Sequence, residues 1–171
     1  MLFLKLLQQL VKALNSEGTP VQVAAGIALG ACLGLTPIGN LHNAVVFLLA
    51  LLLNVSLAGF SLGWAVFVPA GFALDPLFDA IGRALLSSHA LTPLWTRLTN
   101  LPVVPYSNFN NSVVLGSFVC WLIAFVPILL LARWLVATYR ARVYERLKQW
   151  RVFQVIGASK LYQAYRVFRP E

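Results

Sequence analysis

The chain has 171 residues, 60% of them hydrophobic, with 13 Lys and Arg against 5 Asp and Glu and a net charge of +8. Soluble domains of this length carry roughly a quarter charged residues, so one small core cannot hide this much apolar surface. The composition excludes an ordinary soluble domain and predicts an all-α, polytopic membrane protein with a single membrane domain.

The placement of the positive charges predicts the orientation of the chain. Lys5 and Lys12 precede the first apolar run. Arg83 and Arg97 lie between the apolar runs, and all other Lys and Arg residues follow the last run. The positive-inside rule therefore places both termini in the cytoplasm. A basic tail can bind nucleic acid, but anionic lipid headgroups are the simpler partner here, and no nucleic-acid partner is predicted.

The chain begins with a segment whose polar residues share one face. At helical spacing, Lys5, Gln8, Gln9 and Lys12 lie together and Leu, Val and Phe lie opposite. Residues 1–18 are therefore predicted to form an amphipathic helix in the plane of the headgroups. A signal peptide is the alternative, but the glutamines interrupt its apolar region and no small-residue cleavage site follows.

Residues 19–135 form the predicted membrane domain. A capping residue followed by proline marks helix starts at Thr19-Pro20, Thr36-Pro37, Asp75-Pro76 and Thr92-Pro93. The runs 20–35 and 39–55 are shorter than the roughly 20 residues of an upright span. They are two thin spans or a re-entrant hairpin whose break contains Thr36, Pro37, Gly39 and Asn40. Residues 57–74 and 113–135 are the two clear spans, the first with Pro69 as a kink.

The remaining tail, residues 136–171, is basic. Val136, Tyr139, Val143, Leu147 and Trp150 recur at helical spacing among arginines, which predicts an amphipathic cytoplasmic helix. Such a helix rests on anionic lipid or docks on an envelope protein partner.

An internal repeat is predicted from an offset of 56 residues. Residues 20–37 match 76–93 at eight identical positions, including Gly26 with Gly82 and Thr36-Pro37 with Thr92-Pro93. The units would be 20–73 and 76–129, each with a hairpin and one crossing, so that the second is inverted relative to the first. Inverted repeats with broken helices are a recurrent plan of transporters.

Two groups of residues are candidates for function. A stripe of glycines on one helix face permits close packing of a second helix: Gly26, Gly30 and Gly34, with Gly59 and Gly63 as a possible second face. Arg83, His89 and Arg97, with Asp79 one turn before Arg83, are ionisable residues in an apolar region and could bind a phosphate. The alternative is that they meet lipid phosphates nonspecifically at headgroup level. His42 and Asn43 could line the tip of the first hairpin or bond locally.

Enzyme signatures are absent from the sequence, which has no phosphate loop, no Gly-x-Ser-x-Gly motif and no His and carboxylate cluster at metal spacing. Cys32 and Cys120 lie in apolar segments, without the spacing of a metal site or a disulfide framework. We therefore predict no catalytic activity, no metal and no cofactor.

The motifs of residues 19–88 resemble those of the bacterial domain-of-unknown-function family 2062. The family pattern has Ser/Thr-Pro, an apolar run with glycines, Pro-x-Gly and an Asn before the next span. Here these are Thr19-Pro20, Gly26 to Gly34, Pro37-x-Gly39 and Asn54. Val68-Pro69 keeps only the proline of the family's Asn-Pro, and Pro76, Phe78 and Gly82 fit its later segment. The resemblance implies a small multi-pass protein of the bacterial inner membrane, with no established activity, and association of some members with glycolipid enzymes favours a lipid role.

Together these features predict a protein that handles or transports a phosphate-bearing lipid. Arg83, Arg97 and His89 would engage the headgroup. The alternative is a membrane anchor or assembly partner of a larger envelope complex, in which the tail 136–171 would matter most.

Overall fold

The computed structural model describes residues 18–144. Within this range the protein is entirely helical: α1 is Pro20–Leu35, α2 is Leu41–Leu52, α3 is Leu57–Leu86, α4 is Thr92–Thr99 and α5 is Ser112–Tyr139, which runs into a short π-helical turn at Arg140–Tyr144. Two 3-10 turns, His89–Leu91 and Val104–Ser107, flank α4. Residues 1–17 of the predicted amphipathic helix at 1–18, and most of the predicted tail helix, lie outside the described residues.

Helix α1 begins as the sequence predicts. Thr19 and Gln22 form a capping box, in which the Thr19 side chain accepts from the Gln22 N–H and the Gln22 side chain accepts from the Thr19 N–H at 2.7 Å. Pro20 follows in the first turn, where its missing N–H costs no helical bond.

Two of the four predicted helix starts are wrong. Thr36 ends α1 instead of starting a helix, because its N–H and its hydroxyl both bond the carbonyl of Cys32. Asp75-Pro76 lies inside α3, which continues through both Pro69 and Pro76. A proline in a helix forfeits one backbone bond, whereas a full break in apolar surroundings would expose several unpaired groups. The fourth predicted start, at Thr92-Pro93, is confirmed in position because the helix α4 begins at Thr92. Its N-cap, however, is Leu91 and not Thr92.

The helices run alternately up and down from one end of the bundle. Backbone contacts pair Val23 with Gly59 and Gly34 with Gly71, so α1 and the first half of α3 are parallel. Helix α2, which connects them in the chain, returns to the end where α1 begins, and there the Ser56 N–H donates to the Gln22 carbonyl at 3.1 Å. We call the end that contains Gln22 and Ser56 the terminal end.

Helix α5 runs antiparallel to α1. The Trp121 indole donates to the Ala28 carbonyl at 2.9 Å, and Arg140 Nη1 donates to the Gly18 carbonyl at 2.6 Å. Gly18 and Arg140 therefore lie together at the terminal end. The opposite end, which we call the loop end, contains the break 36–40 and the connection 87–111. The core between the helices is built from Leu29, Ala31, Cys32, Leu35, Val46, Ala50, Phe60, Phe78 and Trp121.

Two of the described helices, Leu57–Leu86 and Ser112–Arg142, are long and apolar enough to cross a membrane by length and composition. This confirms the all-helical class and the two span-length helices. Large apolar side chains also cover the outside of the bundle: Ile38, Leu52, Phe72, Ile123, Leu131 and Trp134 are each more than half exposed. Such a surface is the composition expected where a protein faces lipid.

The second predicted hairpin takes a different form from the first. The boundary between the predicted repeat units, at 73–76, lies inside α3. The segment that corresponds to α2 contains only the eight-residue α4 and a 3-10 turn. The contact of Gly82 with Ser112, by contrast, corresponds at the offset of 56 residues to the contact of Gly26 with Ser56. The sequence repeat stays a prediction, and the two units differ in the form of their hairpins.

Glycine lets α1 and α3 approach to backbone contact. A Cβ added at Gly26 would collide with the Ser56 carbonyl, one at Gly30 with the Phe60 carbonyl, and one at Gly63 with the Ile27 carbonyl. Because these obstacles are backbone atoms, they cannot rotate away as a side chain would. The two helices would have to separate to admit any side chain here.

We expect Gly30→Ala to lower the free energy of unfolding by about 1–3 kcal/mol, the usual cost of overpacking. The loss should appear even though alanine is the better helix former by about 1 kcal/mol. The measurement is unfolding of the purified protein in mixed micelles, followed by circular dichroism. Ala44→Leu adds more volume at an exposed position of α2 and should be nearly neutral. Equal stability of the two variants would contradict the contact.

Candidate functional site

The break after α1 is a network of buried polar side chains. The Thr36 hydroxyl lies 2.6 Å from Asn43 Oδ1 and 2.7 Å from the Cys32 carbonyl. The Asn43 amide nitrogen in turn donates to the Pro37 carbonyl at 2.7 Å. Thr36 and Asn43 are both nearly inaccessible to solvent. Backbone groups just beyond the end of a helix lose their intrahelical hydrogen bonds. The Asn43 side chain supplies one such bond, to the Pro37 carbonyl.

The network also joins the break to the distant connection 87–111. Asn40 Nδ2 donates to the Pro37 carbonyl at 2.7 Å, and Asn108 Nδ2 donates to Asn40 Oδ1 at 2.6 Å. Asn108 adopts a left-handed backbone conformation at the end of the 3-10 turn, which asparagine tolerates well. Gly39 has φ +97°, a backbone conformation that glycine adopts without steric cost, and open space lies where a Cβ would be. The predicted break residues Thr36, Pro37, Gly39 and Asn40 all lie in this unit.

His42 is buried beside this network but is not part of it. Its ring stacks on Phe109 with centroids 5.5 Å apart and lies against Phe118 at 4.8 Å. The backbone of Ser107 lies beside the imidazole. Neither ring nitrogen, however, makes a hydrogen bond of normal geometry. Burying a polar group without a hydrogen-bond partner costs free energy. The two ring nitrogens of His42 therefore need an explanation.

An apolar groove of about 360 Å³ opens next to His42. Its walls come from α2 through Val45 and Leu49, from the connection through Leu98 and Val103, and from α5 through Trp121. The volume lies in the range of small-molecule sites, about 300–1,000 Å³, which are mostly apolar with a few polar groups. The groove therefore has the size and chemistry of a site for an apolar ligand.

The predicted phosphate-binding residues lie at the loop end. Arg83 and Asp79 form a salt bridge of 2.7 Å across one turn of α3, with the Arg83 side chain 70% exposed. The Ser112 hydroxyl also donates to Asp79, which links the end of α3 to the start of α5. His89 and Arg97 are exposed, in the 3-10 turn and in α4. Among the described residues, only Asp79 and Arg83 of these four contact each other.

A tryptophan holds α4 against the end of α3. Trp95 Nε1 donates to the Leu85 carbonyl at 3.1 Å. Because Trp95 is two residues from Arg97 and Leu85 two residues from Arg83, both arginines belong to the same end of the molecule. Arg97 also directly precedes Leu98, which lines the groove.

Sequence reasoning identified some of this site and missed the rest. His42 and Asn43 were placed near the hairpin tip, and Asn43 does bond locally there. The parts contributed by Asn108, Phe109, Phe118 and Trp121 were missed, because they lie far along the chain from the break. The polar run Asn108 to Ser112 was the available signal, since buried chain reversals require such side chains. Among the described residues, no cluster of three or more metal-ligating side chains occurs, and Cys32 and Cys120 are free.

We expect Asn43→Ala to lower the free energy of unfolding by about 1–3 kcal/mol, because it removes one of the two side-chain donors to the Pro37 carbonyl and the side-chain acceptor of the buried Thr36 hydroxyl. Asn100→Ala, at an exposed position of the connection, is the matched control and should change stability by less than about 0.5 kcal/mol. Thermal unfolding in detergent measures both. Hydrogen exchange at residues 37–43 should also rise in the first variant, and unchanged exchange there would contradict the role of the side chain.

Comparison with known proteins places the chain in a family. A family model described as "Uncharacterized protein conserved in bacteria (DUF2062)" matches residues 4–145, which extends the resemblance beyond the 19–88 motifs. An "Uncharacterized protein" of Treponema pallidum (strain Nichols) is 24% identical over 158 residues, covering 92% of this chain and 98% of the relative. No solved structure matches. The chain is a member of the DUF2062 family.

Proposed function

We propose that this protein is a multi-pass protein of the bacterial inner membrane that handles a phosphate-bearing lipid, either by moving it or by presenting it for transfer. The observation that carries the proposal is found at the loop end: the exposed Arg97 directly precedes Leu98, which lines an apolar groove, and Arg83 and His89 are exposed at the same end. A lipid has this same division into an anionic headgroup and apolar chains.

The cationic side of this arrangement is Arg83, Arg97 and His89. Arginine binds phosphate through paired N–H donors. Arg83 already pairs with Asp79, so a phosphate would compete with that carboxylate, whereas Arg97 makes no salt bridge among the described residues. The hydrogen bond from Trp95 to Leu85 fixes α4 against the end of α3, so both arginines are carried at the same end of the bundle.

The membrane setting is supported by three features. Two described helices have the length and composition of spans, the outer face of the bundle is apolar, and positive charge is concentrated near the termini. The contact of Arg140 with Gly18 supports termini on one side. The positive-inside rule makes that side the cytoplasm.

The lipid role is tested with Arg83→Ala/Arg97→Ala in reconstituted vesicles that contain fluorescent phosphatidylglycerol. We expect the double variant to slow lipid movement about tenfold or more, because hydrogen bonds to charged groups contribute about 1.5–3 kcal/mol each. Arg133→Ala/Arg142→Ala removes the same charge from exposed positions toward the terminal end and should leave movement unchanged. Equal movement in wild type and in both variants would reject the lipid role and favour the anchor.

The orientation is tested by thiol labelling of intact cells after Cys32 and Cys120 are replaced by alanine. Asn100→Cys reports the loop end and Ala141→Cys the terminal end, both at exposed positions. We expect an impermeant maleimide to label Asn100→Cys from outside, and Ala141→Cys only after permeabilisation. Labelling of both positions from the same side would contradict the proposed crossing of α5.

A further inference from the structure

We propose that the groove beside His42 binds one acyl chain of a diacyl membrane lipid, and that the imidazole donates a hydrogen bond to the ester carbonyl of that chain. The inference deepens the proposed function and rests on it for the class of ligand. It concerns binding, however, and holds whether the lipid is moved or only held.

The unpartnered imidazole is the first observation. His42 is 7% exposed, and neither ring nitrogen has a partner at normal hydrogen-bond geometry, because the Ser107 backbone beside the ring lies outside that geometry. The neighbouring polar side chains at the break satisfy one another through Asn43, Asn40 and Asn108, so none of them is left to pair with the ring. A neutral imidazole always carries one N–H donor. An acceptor supplied by a ligand in the groove would remove the cost of burying that donor.

The lining of the groove is the second observation, because it selects the rest of the ligand. Apart from His42 and Ser107, every lining residue is apolar. Val45 and Leu49 line the groove and are also substantially exposed on the outer face of α2. The groove is therefore open toward the surroundings of the bundle, from which a lipid chain can enter sideways. A polar metabolite would find only one hydrogen-bonding side chain on these walls besides the Ser107 hydroxyl.

The depth of His42 is the third observation and identifies the acceptor. Helix α1 has 16 residues, which at 1.5 Å per residue is about 24 Å. An upright α1 that begins at one boundary of a hydrocarbon core about 30 Å thick would place the break within about 6 Å of the other boundary. His42 is the second residue of α2, immediately after the break. Ester carbonyls of diacyl lipids lie at that boundary, below the headgroup, and Arg97 is next to Leu98 on the groove wall.

The test compares two probes that differ only in this carbonyl. The purified protein is titrated in detergent with phosphatidylglycerol that carries ester-linked chains, and with its ether-linked analogue. The apparent Kd is taken from the rise in unfolding temperature with ligand concentration. We expect the wild type to bind the diester about fivefold more tightly, the effect of one net hydrogen bond.

His42→Leu removes the donor and should bind both lipids with equal affinity. His42→Gln, whose side-chain amide also donates, should keep part of the preference. Leu49→Trp narrows the groove and should weaken both lipids, whereas Leu48→Trp, the same substitution at an exposed α2 position outside the groove, should weaken neither. The leucine pair lies on the outer face of α2, so it tests the groove even if His42 variants fail to fold.

Two results would overturn the inference: equal affinity of the wild type for diester and diether, or equal affinity of the Leu49→Trp and Leu48→Trp variants. Either one would show that lipid merely coats the apolar surface. Failure of the proposed function is distinguishable, because it would appear in the Arg83→Ala/Arg97→Ala movement assay. That variant should keep the preference for the diester, since neither arginine lines the groove.

Discussion

The backbone contact between α1 and α3 is the constraint on which the rest of the bundle depends. Helix α1 is too short to cross a bilayer upright, and its glycines leave little side-chain surface with which to hold a partner. Its stability comes from lying against a longer helix at backbone distance, where Gly26, Gly30 and Gly63 admit carbonyl oxygens in place of side chains. In apolar surroundings, such contact provides dispersion energy that the hydrophobic effect cannot supply.

This contact also determines where α1 can end. With α1 fixed along α3, the chain must reverse at Thr36, inside the protein and away from water. The reversal is tolerated because Asn43, Asn40 and Asn108 supply the missing hydrogen bonds from side chains. One consequence is that the connection 87–111 packs over the break, and the groove beside His42 arises between that connection, α2 and α5.

The two ends of the molecule differ in their chemistry. The terminal end holds Gly18 and Arg140 in contact and leads to the basic tail. The loop end holds the Asp79–Arg83 pair, the exposed Arg97 and the groove. This difference between the two ends is the observation on which the proposed lipid role rests.

Composition and local residue patterns predict the helical class, the two long apolar helices, the start of α1 at Thr19-Pro20 and the family. These properties follow from composition and from signals that act within one or two turns. That Pro76 stays inside α3 is visible only in the folded protein, because it depends on what surrounds the helix rather than on proline itself. Tertiary packing likewise decided that Asn108 pairs with Asn40 across 68 residues and that His42 is buried without a partner at normal hydrogen-bond geometry. No local pattern contains these facts, since each depends on atoms that only packing brings together.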